Sequence, residues 1–168
     1  MEKEIINRVA QSKLVTFDLE ELYPIGKREL LDIKDWLYEG IILREKEFRN
    51  ALEEHDWSSY KDAHVALTCS TDAIVPGWAF MLVTSKLNSY AKKVVIGSLE
   101  DLEASLYQTV LDSLDYSEFK DKPVIIKGCS NKPVPENAYI MAMTKMQQVA
   151  KSVMYGEACS AVPLYKRK

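Results

Sequence analysis

"AHVALTCSTDAIVPGWAFMLVTSKLNSY", residues 63–90, decides the fold. "AHVALTC" is short, apolar and bounded by polar residues, the pattern of a buried strand. "VPGWAFMLVTSKLNSY" is long enough for a helix and carries Pro76 near its first turn, where a missing N–H costs nothing. A strand leading at once into a helix is the first half of a crossover between parallel strands.

The same alternation runs outward from this stretch. On the C-terminal side, "KKVVIGS" is a strand, and "LEDLEASLYQTVLDSL" is a helix capped by Ser98 with Asp101 three residues on. "KPVIIKG" is a strand, "PENAYIMAMTKMQQVAK" a helix opened by Pro135, and "SVMYGE" the last core strand. "AVPLYK" is expected to fold back as an antiparallel edge strand, where Pro163 is tolerated. On the N-terminal side, "LREKEFRNALEEHD" is an exposed helix with Glu45 four residues before Arg49 and with Phe48, Ala51 and Leu52 facing inward. "LVTFDL" and "RELLDI" read as two further strands joined through "YPIG", and "KDWLYEG" as one helical turn ended by Gly40. The expected fold is therefore α/β: three layers, a mostly parallel sheet with helices on both faces, and an antiparallel edge at the C-terminus. With no internal repeat, low-complexity tract or linker found, residues 1–168 are read as a single domain.

Bulk properties narrow the function classes. The chain has 168 residues, 47% hydrophobic and 28% charged, as in an ordinary globular protein. A net charge of −3 argues against a general nucleic-acid binder. No charged leader precedes an apolar core, and "AIVPGWAFMLV" is shorter than the about 20 residues a bilayer needs, so a cytoplasmic protein without membrane contact is expected.

The three cysteines share a placement. Cys69, Cys129 and Cys159 each follow an apolar strand, and each precedes a serine. In an open parallel sheet the carboxyl ends of the strands carry ligands. Neighbouring strands lie about 4.8 Å apart, so thiols at that edge converge if their strands are adjacent. Three such thiolates suit zinc or an iron–sulfur cluster, with Asp72 or a water completing the shell. No CxxC pair supports this, and His64 opens the strand that Cys69 ends, which places it at the opposite edge. Two readings stand beside the metal site: small buried hydrophobes, with the serines as turn caps, or thiol chemistry favoured by a helix N-terminus. Both histidines look misplaced for a catalytic thiol.

Other charged groups carry bland readings. Asp32 and Asp35 suit a helix cap and its solvated neighbour, and Arg44, Lys46 and Arg49 among Glu45 and Glu47 suit a salt-bridged outer face. Lys127 and Lys132 flank a helix start but lack a glycine-rich phosphate pattern.

At "LDIKDWLYEGIILREKEFR", "HDWSSYKDAHVAL", "CSTDAIVPGWAF", "IIKGCSNKPVP" and "SVMYGEACSAVPLYKR" the chain resembles the bacterial domain-of-unknown-function 2480 family over nearly its full length. The resemblance transfers no catalytic residue. It implies a setting among iron–sulfur assembly proteins, and with it the expectation of an accessory factor binding a metal or cluster through Cys69, Cys129 and Cys159. A metal-free adaptor docking through the sheet edge or the "LREKEFR" helix is the alternative, and a thiol-dependent enzyme the third.

Overall fold

Parallel strands need a crossover between them, and the chain supplies a helix for nearly every one. The structure, a computed structural model, describes residues 13–128 and 131–168. Its strands are β1 (Val15–Phe17), β2 (Arg28–Asp32), β3 (His64–Thr68), β4 (Lys93–Ile96), β5 (Pro123–Ile126), β6 (Ser152–Tyr155) and β7 (Val162–Lys166). The helices are α1 (Glu45–Glu54), α2 (Gly77–Leu87), α3 (Leu99–Ser113) and α4 (Glu136–Val149). The expected α/β class, the mainly parallel pairing and the antiparallel C-terminal strand are all observed.

The strands do not form one sheet. β2, β3 and β4 make a parallel sheet in that order, and β1, β5, β6 and β7 make a second in that order. Two compact units follow: residues 25–105 hold the first sheet, and residues 13–24 with 106–168 hold the second. β1 and β2, the two strands read on either side of "YPIG", are both present and belong to different sheets.

In the 25–105 unit, β3 is the central strand, and Val65, Ala66 and Leu67 are fully buried, as a strand covered on both faces requires. Val65 and Leu67 pack into a core with Phe48 and Leu52 of α1 and with Ala79, Val83 and Leu87 of α2. Both helical sets recur at four-residue steps, which puts each on one face. In the other unit, Val124 and Ile126 of β5 pack with Tyr107 and Leu111 of α3 and with Ala138, Ala142 and Met146 of α4.

These lists correspond position by position. Asp62 (φ 59°) and Asp121 (φ 58°), Gly97 (φ 134°) and Gly156 (φ 119°) each lie 59 residues apart. The same step relates Phe48 to Tyr107, Leu52 to Leu111, Ala79 to Ala138 and Leu87 to Met146, all in the two cores. Pro76 and Pro135 both precede a helix with nearly the same backbone angles (φ −68°, ψ 146° and φ −69°, ψ 149°). Asp56 and Asp115 both accept the N–H of the residue two positions on, Ser58 and Ser117, at a 3₁₀ turn. The registers agree as well: Leu31 pairs with Leu67 and Leu67 with Ile96, as Phe17 pairs with Ile126 and Ile126 with Tyr155. The two units are copies of one β-α-β-α-β module, with β7 added to one of them. The expectation of no internal repeat is thereby corrected. Few residues are identical between copies, because a buried site constrains volume and polarity more than identity.

Gly97 and Gly156 show the constraint most sharply. Each ends a strand at positive φ, and a Cβ on Gly97 would strike the Asp101 carboxylate, while one on Gly156 would lie 3.1 Å from the Ser160 carbonyl oxygen. Gly97→Ala and Gly156→Ala should each lose about 1–3 kcal/mol in urea unfolding, with the larger loss at Gly97. No loss at either position would contradict the shared role.

Candidate functional site

The carboxyl edge of the β2-β3-β4 sheet is held by one carboxylate. Asp32, the last residue of β2, accepts the N–H of Lys34 at 3.1 Å and that of Ser70 at 3.1 Å. It thereby caps the 3₁₀ turn Ile33–Trp36 and ties β2 to the segment after β3. Burial pushes its pKa up, but the hydrogen bonds from Ser70 and Lys34 and the Lys34 charge outweigh this and hold it below the usual carboxylate value. Asp32 is thus the cap expected of it. The Thr71 hydroxyl donates to the Gly40 carbonyl at 2.6 Å, and the Cys69 sulfur lies 3.4 Å from that hydroxyl oxygen.

Gly40 sits in a tight reversal. Tyr38 and Ile42 exchange backbone hydrogen bonds of 2.8 and 3.0 Å, and Glu39 and Gly40 between them both have positive φ. This turn pushes Ile41 and Ile42 outward. Across from them the 69–76 segment presents Ile74 and leads into α2 with Trp78. Ile41, Ile42, Leu43, Ile74, Pro76 and Trp78 line an open groove, with the acidic Glu45 and Asp72 at its rim. Ile74 is 93% exposed, and Ile41 and Ile42 about half exposed at 52% and 47%. Met81 (73%) continues the apolar surface past Trp78.

The metal-centre expectation fails on this geometry. Cys69 follows β3 and Cys159 follows β6, strands of different sheets, so adjacency of neighbouring strands cannot bring the three thiols together. Cys129 lies outside the described residues. Among the described residues no group of three or more His, Cys, Asp or Glu side chains is placed to hold a metal ion. Cys69 contacts Thr71, and Asp72 stands exposed at the groove rim. The reading of an iron–sulfur or zinc accessory factor is withdrawn.

The histidines offer no base to a thiol. His64 is buried at the amino end of β3, with Nε2 3.2 Å from the Ile25 carbonyl oxygen. A carbonyl only accepts, so Nε2 donates to it, and Nδ1 has no hydrogen-bond partner among the described residues. His55 bonds Tyr60 at 3.3 Å and packs edge-on against Trp36 and Trp57. The charged helix α1 is salt-bridged as expected: Glu45 to Arg49 at 2.9 Å, and Arg44 to Glu47 at 3.2 Å. Lys127 is taken by Asp18 at 2.7 Å, which leaves the 127–135 segment without an anion site built on that lysine.

Sequence reasoning missed the groove. Its signal lay in α2, where "GWAFMLV" is apolar on every side although the helix is partly exposed.

The chain belongs to the family described as protein of unknown function (DUF2480), whose profile matches residues 3–167. No curated protein matches the chain, and no solved structure matches it. Among the described residues no helix is long and apolar enough to cross a membrane.

Asp32→Ala should cost about 1–2 kcal/mol at neutral pH, because two backbone N–H groups lose their acceptor. The folded pKa of Asp32 is depressed, so its stabilisation is present above the unfolded pKa and lost as pH falls through the folded one. Urea unfolding of both proteins at pH 7 and at about pH 2.5 should show the difference closing in acid.

Proposed function

We propose that this member of the DUF2480 family is a docking module whose groove receives an apolar segment of a partner protein carrying a basic side chain. The observation that carries the reading is the comparison of the two internal copies. Where one has Ile74, Gly77 and Trp78, the equivalent positions of the other hold Pro133, Glu136 and Asn137. The shared fold therefore requires neither Ile74 nor Trp78 at those positions.

Size supports the same reading. At about 200 Å² for a fully exposed large side chain, Ile41, Ile42, Ile74, Trp78 and Met81 together present roughly 600 Å², the upper end for the largest apolar patch of an ordinary monomer. The rim charge selects the partner. Glu45 is neutralised by Arg49, whereas Asp72 has no ion pair among the described residues. A Lys or Arg beside the partner's apolar residues would meet that carboxylate. The Asp32 and Thr71 hydrogen bonds pre-form the walls, which lowers the ordering cost of binding.

Random-peptide display against the full chain should enrich sequences with spaced apolar residues and a Lys or Arg. A synthetic peptide of that consensus should bind Ile74→Asp and Trp78→Ala at least about tenfold more weakly, and Asp72→Lys should prefer an acidic version. Failure to enrich any consensus, or equal binding to Ile74→Asp, would overturn the proposal.

A further inference from the structure

The two internal copies differ at one sheet edge. β6 is covered on its outer side by the antiparallel β7. Its counterpart β4 ends the β2-β3-β4 sheet, with no strand on that side. The flanking hydrogen bonds agree. The Lys92 N–H donates to the Ala63 carbonyl at 2.8 Å, as that of Lys151 does to Lys122 at 2.9 Å. The Gly97 N–H donates to the Leu67 carbonyl, as that of Gly156 does to Ile126, both at 3.0 Å. The copy that holds β7 therefore shows what kind of segment the bare edge of the other fits.

The edge of β4 is also left fit for pairing. Exposed edge strands are normally blunted by proline, a bulge or an outward charge. β7 contains Pro163, and its register with β6 shifts between Val153 and Met154. β4 reads Lys-Val-Val-Ile, has no proline and keeps an unbroken register with β3. Its one charged side chain, Lys93, donates to the Ser105 carbonyl at 2.8 Å. Ile96 at its end is 60% exposed.

Two side chains anchor β7. Tyr165 pairs with Val153 and packs against the core that α4 helps to form. Arg167 donates its backbone N–H to the Lys151 carbonyl at 2.9 Å. Its guanidinium donates to the Asp121 carboxylate at 2.6 Å and to the Val149 carbonyl at 3.2 Å. Each anchor point has a counterpart beside β4 at the 59-residue step: Val94 for Val153, Lys92 for Lys151, Tyr90 for Val149 and Asp62 for Asp121. Asp62 keeps the left-handed backbone of Asp121 and makes no ion pair among the described residues. Ile96, two residues from Val94, shares its face. Between Ile96 and the Phe80, Thr84 and Asn88 side of α2 lies a depression of about 280 Å³, room for an aromatic ring.

We infer that the bare edge of β4 is a strand-addition site, and that its occupant is an extended segment of a partner protein reading aromatic, acidic, arginine at consecutive positions. The segment pairs antiparallel to β4, as β7 does to β6. Its aromatic residue stands opposite Val94, and its arginine reaches Asp62. The residue between them falls opposite Lys93, where β7 sets Lys166 opposite Ser152. A lysine there would meet a like charge, so the partner carries Asp or Glu instead. Backbone hydrogen bonds supply the affinity, and the three side chains choose the partner. The groove contributes none of these residues, so the two sites stand or fall separately.

The probe is a labelled synthetic peptide of residues 161–168 carrying Lys166→Glu, titrated with the full chain by fluorescence anisotropy. It should saturate one site per chain. N-methylation of its Arg167 nitrogen, which faces the edge, should weaken binding at least about tenfold. N-methylation of residue 166, which strand alternation turns away, should change it less than about twofold. Arg167→Gln in the peptide should cost about two- to fivefold against the wild type and nothing against Asp62→Asn, whose asparagine tolerates the left-handed backbone. No binding at about 1 mM peptide, or equal loss from the two N-methyl groups, would overturn the inference. So would an Arg167 preference that vanishes in Asp121→Asn rather than Asp62→Asn, since the peptide would then have displaced β7. A chain that doubles its mass in sedimentation and so excludes the peptide would assign the edge to a second copy and overturn it too.

Discussion

A parallel central strand buried on both faces is the constraint on which each half of the molecule depends. β3 and β5 fill that place, and neither can be left open to water on either side. Each is consequently preceded by a helix that packs a large residue at two positions one turn apart, Phe48 and Leu52 or Tyr107 and Leu111. Each is followed by a helix that approaches through small residues, Ala79 or Ala138 with Ala142. The strand edges are closed by backbone devices rather than by packing: a left-handed Asp before the central strand and a positive-φ Gly after the next one. What differs between the halves lies outside this frame, and there the groove occurs.

Much of the fold was legible because parallel strands and crossover helices leave a strong local pattern. The strands at 64–68, 93–96, 123–126 and 152–155 and the helices between them lie inside the stretches read from periodicity alone. The division into two sheets was not legible, because strand order depends on contacts between distant segments that periodicity does not encode. The duplication was written in the chain, in "DWSSYKD" against "DYSEFKD" and in "VPGWA" against "VPENA". It is faint because the copies preserve volume at buried positions and backbone angle at turns. A comparison of turn residues alone, Asp, Pro and Gly at matched spacing, would have exposed it.

The duplication does not account for the repeated thiol. At the 59-residue step Cys69 corresponds to Gly128 and Ser70 to Cys129, so the Cys–Ser pairs do not occupy equivalent positions in the two copies. Shared position after a strand suggested convergence, but position relative to a strand says nothing about which sheet the strand joins. The groove escaped notice for a related reason. A single apolar helix looks the same in sequence whether it is buried or uncovered, and only the exposure of Ile74, Trp78 and Met81 separates the two cases.

The placement of one module inside the other has a kinetic consequence. The 25–105 unit is continuous in sequence, and its β2–β3 and β3–β4 pairings close over short distances along the chain. β1 must wait: Phe17 pairs with Ile126, so during synthesis β1 acquires its neighbour only after the whole inserted module has emerged. Loop closure over that span is entropically dearer and slower than closure within the insert. Synthesis thus imposes an order of assembly, in which the inner copy is complete while the outer one is still half a sheet without a centre.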